Sequence, residues 1–336
     1  MTGTRSGLPF TIAIHDWGDG VALGGCRMLA CGDPDVGFED ALRLSRAMTY
    51  KSASVGLPHG GGKCVIAGPA GKPLSGKART AVLLDVGDAV EELGGRFRTG
   101  EDAGTKARDF EVMSARTSYL VGRSRRVGGS GDSSGLTADG VIVALEATCD
   151  HAFGSPDLGE RSFAVLGLGK VGAKVARGLA RRGARLAVAD IDPAKREQAR
   201  RLGARWLTPK RLLTWEADVL VPCALGGVLD QPTVAALRVR AIAGAANNQL
   251  ADPAVATQLR GRGIVWAPDF IANAGGLISV ASEVDGYTPA EARQRTVAIG
   301  DATSEVLATA ARDDITPLLA AERRAEQRVA AFRGTH

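Results

Sequence analysis

Residues 163–192, FAVLGLGKVGAKVARGLARRGARLAVADID, constrain the fold more than any other stretch of this 336-residue chain. An apolar run ends at Gly167, and Gly169 and Gly172 complete a G-x-G-x-x-G spacing. Val171, Val175 and Leu179 then recur at helical intervals, Gly183 stops that helix, and a second apolar run ends in Asp190. Each part has a physical reason. Gly167 permits a tight turn, Gly169 lets backbone N–H groups approach a pyrophosphate at the helix N-terminus, and Gly172 lets helix pack on strand. Leu168, Lys170 and Val171, between the glycines, belong to the same cofactor site, as does Ile191 after Asp190. Asp190 can accept hydrogen bonds from a ribose diol and repels a 2′-phosphate, which favours NAD over NADP, while Arg196 nearby pulls the other way.

The texture around this motif predicts a doubly wound sheet. SFAVLG, ARLAVAD, ADVLVPC, RAIAGAAN and GIVWAP read as five short strands separated by helical segments, the alternation expected of a parallel α/β domain. The C-terminal stretch LLAAERRAEQRVAAFRG reads as helix. The first part of the chain mixes short strands with two amphipathic helices, FEDALRLSRAMTYKSASVG and KARTAVLLDVGDAVEEL. Between the parts, RVGGSGDSSGLTADG (126–140) reads as a glycine-rich hinge that would let two domains close over substrate. The expected fold class is therefore α/β with two domains. Residues 1–133 form an N-terminal α/β domain for substrate, catalysis and oligomerisation. Residues 134–336 form a doubly wound Rossmann NAD-binding domain whose C-terminal helices pack back on the first.

A cofactor domain only delivers the cofactor, so the substrate chemistry must lie elsewhere. GLPHGGGKCVI (56–66) places three glycines before Lys63. It is not a P-loop: the first glycine slot is Leu57, the hydroxyl slot is Cys64, and the preceding segment reads as helix. Three glycines are costly to order and rarely introduce a mere surface charge, so the segment reads as a mount holding Lys63, its glycines letting backbone crowd a substrate. Lys51 and Asp102 supply a second cation and a carboxylate. A lysine near another cation and shielded from water can serve as a base, and a carboxylate beside it can shuttle the proton.

The blocks ALGGCRM, MTYKSASVGLPHGGGKCVI, TGEDAGT, CALGGVL, AGAANNQLAD and APDFIANAGG occur in this order, with the dinucleotide motif in the gap. Together they resemble the glutamate/leucine/phenylalanine/valine dehydrogenase family, and GRS, GGSGDSS and APDFIANAGG are similar in texture to its phenylalanine dehydrogenases. The resemblance implies that Lys63 is the catalytic amine that activates water, and that Asp102 exchanges protons with substrate amine and water. It implies that Lys51 pairs with the α-carboxylate, helped by the backbone N–H of Gly25, and that Asn247 hydrogen-bonds the substrate near the nicotinamide. Thr137, Cys223, Ala224, Ala245, Asn247 and Asn273 would line the cofactor. The substrate side chain would meet Leu23, Gly100, Leu277 and Val280. Where glutamate-specific members carry a lysine and a serine, this chain has Leu23 and Val280, so a second carboxylate would be buried unpaired, and glutamate is excluded. Gly100 in place of alanine enlarges the pocket and favours a phenylalanine-like ring; Leu277 is bulky and favours leucine or valine. Tryptophan or a non-standard amino acid is a further alternative.

Other classes fit less well. A net charge of +5 with scattered basic residues and only 4% aromatics argues against nucleic acid. The five cysteines form no C-x-x-C pair and the four histidines lie far apart, so neither disulfides nor a metal is expected. The sequence shows no signal peptide and no long apolar span, and a cytoplasmic homo-oligomer, dimer or octamer, is the expectation. A catalytically silent NAD-binding sensor is the alternative of a different class, and the intact trio Lys51, Lys63 and Asp102 argues against it. Cys64 and Cys223 read as small buried residues. His59, where relatives carry an apolar residue, reads as a surface or pocket-rim group, and Asp139 has no evident role.

Overall fold

The computed structural model describes residues 1–71, 73–124, 126 and 129–334. Two compact units emerge from the contacts. The first comprises 1–132, 279–286 and 325–336; the second comprises 133–278 and 287–324.

The first unit is built on a four-stranded sheet of β1 (Phe10–Gly18), β2 (Ala22–Leu29), β3 (His59–Ala67) and β4 (Phe97–Glu101), in the order β1-β3-β2-β4. Only β1 runs antiparallel, against β3. Helix α1 (Pro34–Ser54) begins four residues before the segment read as helix, because Asp33 accepts a hydrogen bond from the Asp35 N–H and Pro34 sits in the first turn. It packs on the sheet face that carries Gly61 and Val65. Helices α2 (Gly76–Glu92) and α3 (Ala107–Met113) cover the other face, where Cys26, Cys64, Ile66, Val82, Val86, Phe97, Phe110 and Met113 form the core.

The second unit opens with α4 (Ser134–Phe153) and contains a six-stranded sheet, all pairs parallel, ordered β10-β9-β8-β5-β6-β7. The strands are β5 (Ser162–Leu166), β6 (Arg185–Ala189), β7 (Arg205–Trp206), β8 (Val219–Pro222), β9 (Ala241–Ile242) and β10 (Val265–Trp266). This is the doubly wound order, and its reversal between β5 and β8 is where such sheets bind ligands, beyond the carboxyl ends of the strands. Alternate residues of β5 serve two cores: Phe163 and Val165 pack with Val141, Leu145, Val175 and Leu179, while Ala164 and Leu166 pack with Leu212, Leu220, Val234 and Trp266. The five strand segments expected from sequence are present; β7 is an additional two-residue edge strand. The segment read as a hinge is helical from Ser134 onward; its Val127 and Gly128 lie outside the described residues.

Candidate active site

Strand register gathers the reactive groups of the first unit on one sheet face. Gly25 of β2 stands opposite Gly100 of β4, and Arg27 of β2 opposite Val65 of β3. Residues opposite one another share a face, so Gly25, Arg27, Lys63, Val65 and Gly100 all face the side that carries α1. Lys63 lies in the middle of β3, flanked by β1 and β2, and only 5% of it is exposed. Its Nζ donates to Asp102 Oδ2 at 2.6 Å, just past the end of β4. A Cβ added to Gly25 would lie 2.8 Å from Asp102 Cβ and 3.1 Å from Lys63 Nζ, so a side chain there would crowd the pair. Burial pushes the Asp102 carboxyl up, but Lys63 and then Arg27 outweigh it and hold the group below the usual carboxylate range. The Thr105 hydroxyl fixes the loop, accepting from the Asp102 N–H and donating to the Cys26 carbonyl.

The three glycines before Lys63 serve packing, contrary to the expectation that they admit substrate. An added Cβ would meet the Asp16 carbonyl at Gly60, the Thr49 N–H and Ser45 carbonyl of α1 at Gly61, and Phe97 and Ile14 at Gly62. Close seating of α1 brings Lys51, half-buried in its last turn, to the end of the helix beside this sheet. Gly100 also differs from expectation. The room left by its missing side chain is taken by Val121, whose carbonyl oxygen would lie 2.9 Å from an added Cβ. Leu23 is fully buried in β2.

His59 is neither a surface nor a rim residue. Its side chain is 5% exposed, and Nε2 pairs with Asp285 Oδ1 at 2.9 Å. Glu283 accepts from the N–H groups of Gly122 and Ser130. Together these contacts fasten residues 279–286, including half-buried Val280, into the first unit. Arg27, Asp40, Glu283 and Asp285 escaped the sequence reading. Arg27 stands two residues after Gly25 on the same strand, and that i, i+2 alternation was the one signal that could have found it.

In the second unit Gly167–Gly172, Asp190, Ile191, Cys223, Ala224, Ala245 and Asn247 follow the carboxyl ends of β5, β6, β8 and β9, whereas Thr137 lies in α4 and Asn273 beyond β10. Gly167 has φ +99° and abuts Cys223 and Ala224, and Gly172 lies against the Gly167 carbonyl and Cys223. A Cβ on Gly169 would meet nothing within 4 Å, so space stands open there. Leu168 and Asp192 donate backbone N–H groups to the two oxygens of Asp190, at 2.6 and 2.9 Å. Lys170 is exposed, Val171 precedes α5 (Gly172–Arg181), and Ile191 is 90% exposed. Asn273 Nδ2 donates to Asn247 Oδ1 at 2.8 Å and to the Ala245 carbonyl at 3.2 Å, and its buried Oδ1 has no partner among the described residues. Thr137 packs against Gly275 and Gly276, and Leu277 is buried just beyond them. Burial pushes the Cys223 thiol up to about 12, and the hydrogen bond the Cys64 thiol shares with Cys26, then burial, raises that of Cys64, so neither is a ready nucleophile. Asp139 forms an exposed ion pair with Arg293 at 3.5 Å. No helix among the described residues is long and apolar enough to cross a membrane.

These features fit a dinucleotide. The open space at Gly169 admits a pyrophosphate to the backbone, and the buried Asn273 oxygen lacks a donor that a cofactor hydroxyl can supply.

Comparison with known proteins agrees with both units. Residues 3–119 match the model for the Glu/Leu/Phe/Val dehydrogenase dimerisation domain, and residues 192–334 match that for glutamate/leucine/phenylalanine/valine dehydrogenase. The chain is 44% identical to phenylalanine dehydrogenase of Bacillus thermotolerans, over 97% of this chain and 86% of that one. It is 40% identical to leucine dehydrogenase of Geobacillus stearothermophilus, over 98% and 90%. The crystal structure of L-tryptophan dehydrogenase from Nostoc punctiforme superposes with a TM-score of 0.86 at 35% identity, covering 97% of this chain and 93% of the other. The chain belongs to the glutamate/leucine/phenylalanine/valine dehydrogenase family.

Proposed function

We propose that the protein oxidatively deaminates an apolar L-amino acid, giving the 2-oxo acid, ammonium and NADH from amino acid, NAD⁺ and water, and that it runs the reverse amination. The observation that carries this reading is the buried Lys63–Asp102 contact at 2.6 Å beside Gly25. NAD supplies the hydride acceptor for the substrate Cα. The rest is proton handling at that carbon, for which an amine and a carboxylate suffice. Lys63 Nζ takes the proton from the water that adds to Cα, and Asp102 Oδ2, in contact with Nζ, receives and returns it. Lys51, at the end of α1, holds the α-carboxylate with the Gly25 N–H. Asn247 and Asn273 fix substrate and cofactor, Asp190 reads the ribose, and Thr137, Cys223, Ala224 and Ala245 line the cofactor.

Leu23, Gly100, Leu277 and Val280 offer neither a cation nor a hydroxyl to a substrate side chain, which excludes glutamate. A phenylalanine-like substrate is favoured by the likeness to a phenylalanine dehydrogenase and to the tryptophan enzyme. The filled space at Gly100 and the buried Leu277 favour leucine or valine as the second reading. We infer a homo-oligomer assembled through the first unit, whose residues match a dimerisation domain, working in the cytoplasm.

NADH oxidation in ammonia with phenylpyruvate, 4-methyl-2-oxopentanoate, indolepyruvate and 2-oxoglutarate tests the substrate class. Phenylpyruvate should turn over fastest and 2-oxoglutarate negligibly; a preference for 2-oxoglutarate would refute the reading. Lys63→Ala should cost about 10³-fold or more in kcat, and a variant keeping a tenth of the rate would remove Lys63 from the chemistry. Asp190→Ala should relax the preference for NAD over NADP by about tenfold; unchanged discrimination would remove the ribose contact.

A further inference from the structure

One cation touches the reacting pair without a place in that scheme. Arg27 Nε donates to Asp102 Oδ2 at 2.9 Å, the same oxygen that Lys63 contacts at 2.6 Å. The other end of its guanidinium donates to Asp40 Oδ2 on α1 at 3.0 Å, and Asp40 Oδ1 accepts from Arg43 at 2.6 Å. Charges therefore alternate along Lys63, Asp102, Arg27, Asp40 and Arg43. Arg27 and Asp40 are 19% and 14% exposed, so solvent screens their contact weakly.

Proton transfer gives the arrangement a purpose. An amine that takes and releases a proton spends part of each turnover uncharged, and during that part it no longer balances Asp102. A guanidinium keeps its proton at every pH of interest. Its planar fork also fixes direction: one edge meets Asp102, the other meets α1 through Asp40, so the carboxylate is oriented against a helix rather than a flexible stem.

We propose that Arg27 is a positioning residue for the reaction, holding Asp102 ionised and oriented while Lys63 is still the uncharged amine that has yet to take the proton from water. This rests on the reading of Lys63 and Asp102 as the proton-handling pair. Arg27 touches neither substrate nor cofactor in this role. It acts through Asp102, keeping that carboxylate in place to receive the proton that passes from water to Lys63 Nζ and then to Asp102 Oδ2. Burial works against a charged Asp102, and Arg27 is one of the two cations that overcome it.

The test is the pH profile of the full-length enzyme with phenylpyruvate or 4-methyl-2-oxopentanoate, ammonia and NADH. In Arg27→Gln the pair loses a neighbouring cation, so the acid limb of kcat/KM, which belongs to the pair as a unit, should move up by about one pH unit. Its kcat near neutrality should fall by about tenfold or more, partly recovered at higher pH, with the KM for NADH within about twofold. A role confined to packing would leave the limb in place. Arg27→Lys keeps the charge but loses the fork; its limb should stay while kcat falls about fivefold. Arg27→Gln with a wild-type limb and kcat overturns the proposal. If Arg27→Gln does not fold, Arg27→Lys decides, and a wild-type kcat there overturns it. Lys63→Ala assayed in parallel separates the two ideas. Activity in Lys63→Ala refutes the underlying reading, whereas an inactive Lys63→Ala beside a wild-type Arg27→Gln refutes only the role of Arg27.

Discussion

Two glycine-rich segments, Gly60–Gly62 and Gly167–Gly172, use the same residue type for opposite ends. In β3 the protein fills every space that the glycines leave. An added Cβ would lie 1.9 Å from the Asp16 carbonyl at Gly60, 2.1 Å from the Thr49 nitrogen at Gly61, and 2.6 Å from the Phe97 ring at Gly62. In the second segment the outer glycines are packed in the same way, with the Gly167 carbonyl only 2.0 Å from a Cβ on Gly172, but Gly169 faces open space. A glycine run thus has two readings that composition cannot separate: backbone drawn together by its own chain, or backbone kept bare for a ligand. Lys63 owes its place to the first use, because strands and helix close around it. The open space at Gly169, where the cofactor is proposed to bind, belongs to the second.

The largest effect should come from breaking the first use. Gly61→Ala drives a methyl group into the backbone of α1 at Thr49, and a helix backbone yields less readily than a side chain. Overpacking against backbone should destabilise the protein by about 3 kcal/mol, read as a lowered urea midpoint. Because Lys51 sits in the last turn of the displaced helix, the KM for the amino acid should rise as well, with the KM for NAD unchanged. Wild-type stability in this variant would mean that α1 tolerates retreat and that the triple glycine is not there to seat it.

Much of the molecule was legible in the sequence because its signals are local. The G-x-G-x-x-G spacing, the four-residue apolar repeat of α5 and the apolar runs of β5, β6 and β8 each report their own backbone, and the structure agrees with all of them. Strand β7 was not legible, since two residues at a sheet edge carry no period. The family blocks led to Lys63 and Asp102, and their contact is the product of three strands in register, which no single stretch encodes. His59 was misread for a related reason. A lone polar residue before a glycine run suggests exposure, and only the partner 226 positions away, Asp285, makes burial tolerable. Gly100 illustrates the reverse error, a missing side chain read as pocket volume when Val121 occupies the room. Arg27 was invisible as long as charged residues were weighed singly, because its importance lies in sharing an oxygen with Lys63.

The smallest effect sharpens the comparison most. Gly169 has open space around it and is not held at a positive φ, so Gly169→Ala asks nothing of the protein itself. Its unfolding free energy should stay within about 0.5 kcal/mol of wild type. If that space is kept for a pyrophosphate, the same methyl group stands where the phosphate oxygens must approach the backbone. NADH affinity, read by fluorescence titration, should then fall by about tenfold, equivalent to about 1.4 kcal/mol. Gly61→Ala would lose stability with little change in cofactor affinity, and Gly169→Ala would do the converse. A Gly169→Ala variant that binds NADH as wild type does would place the pyrophosphate elsewhere on the turn and leave both glycine runs as packing devices.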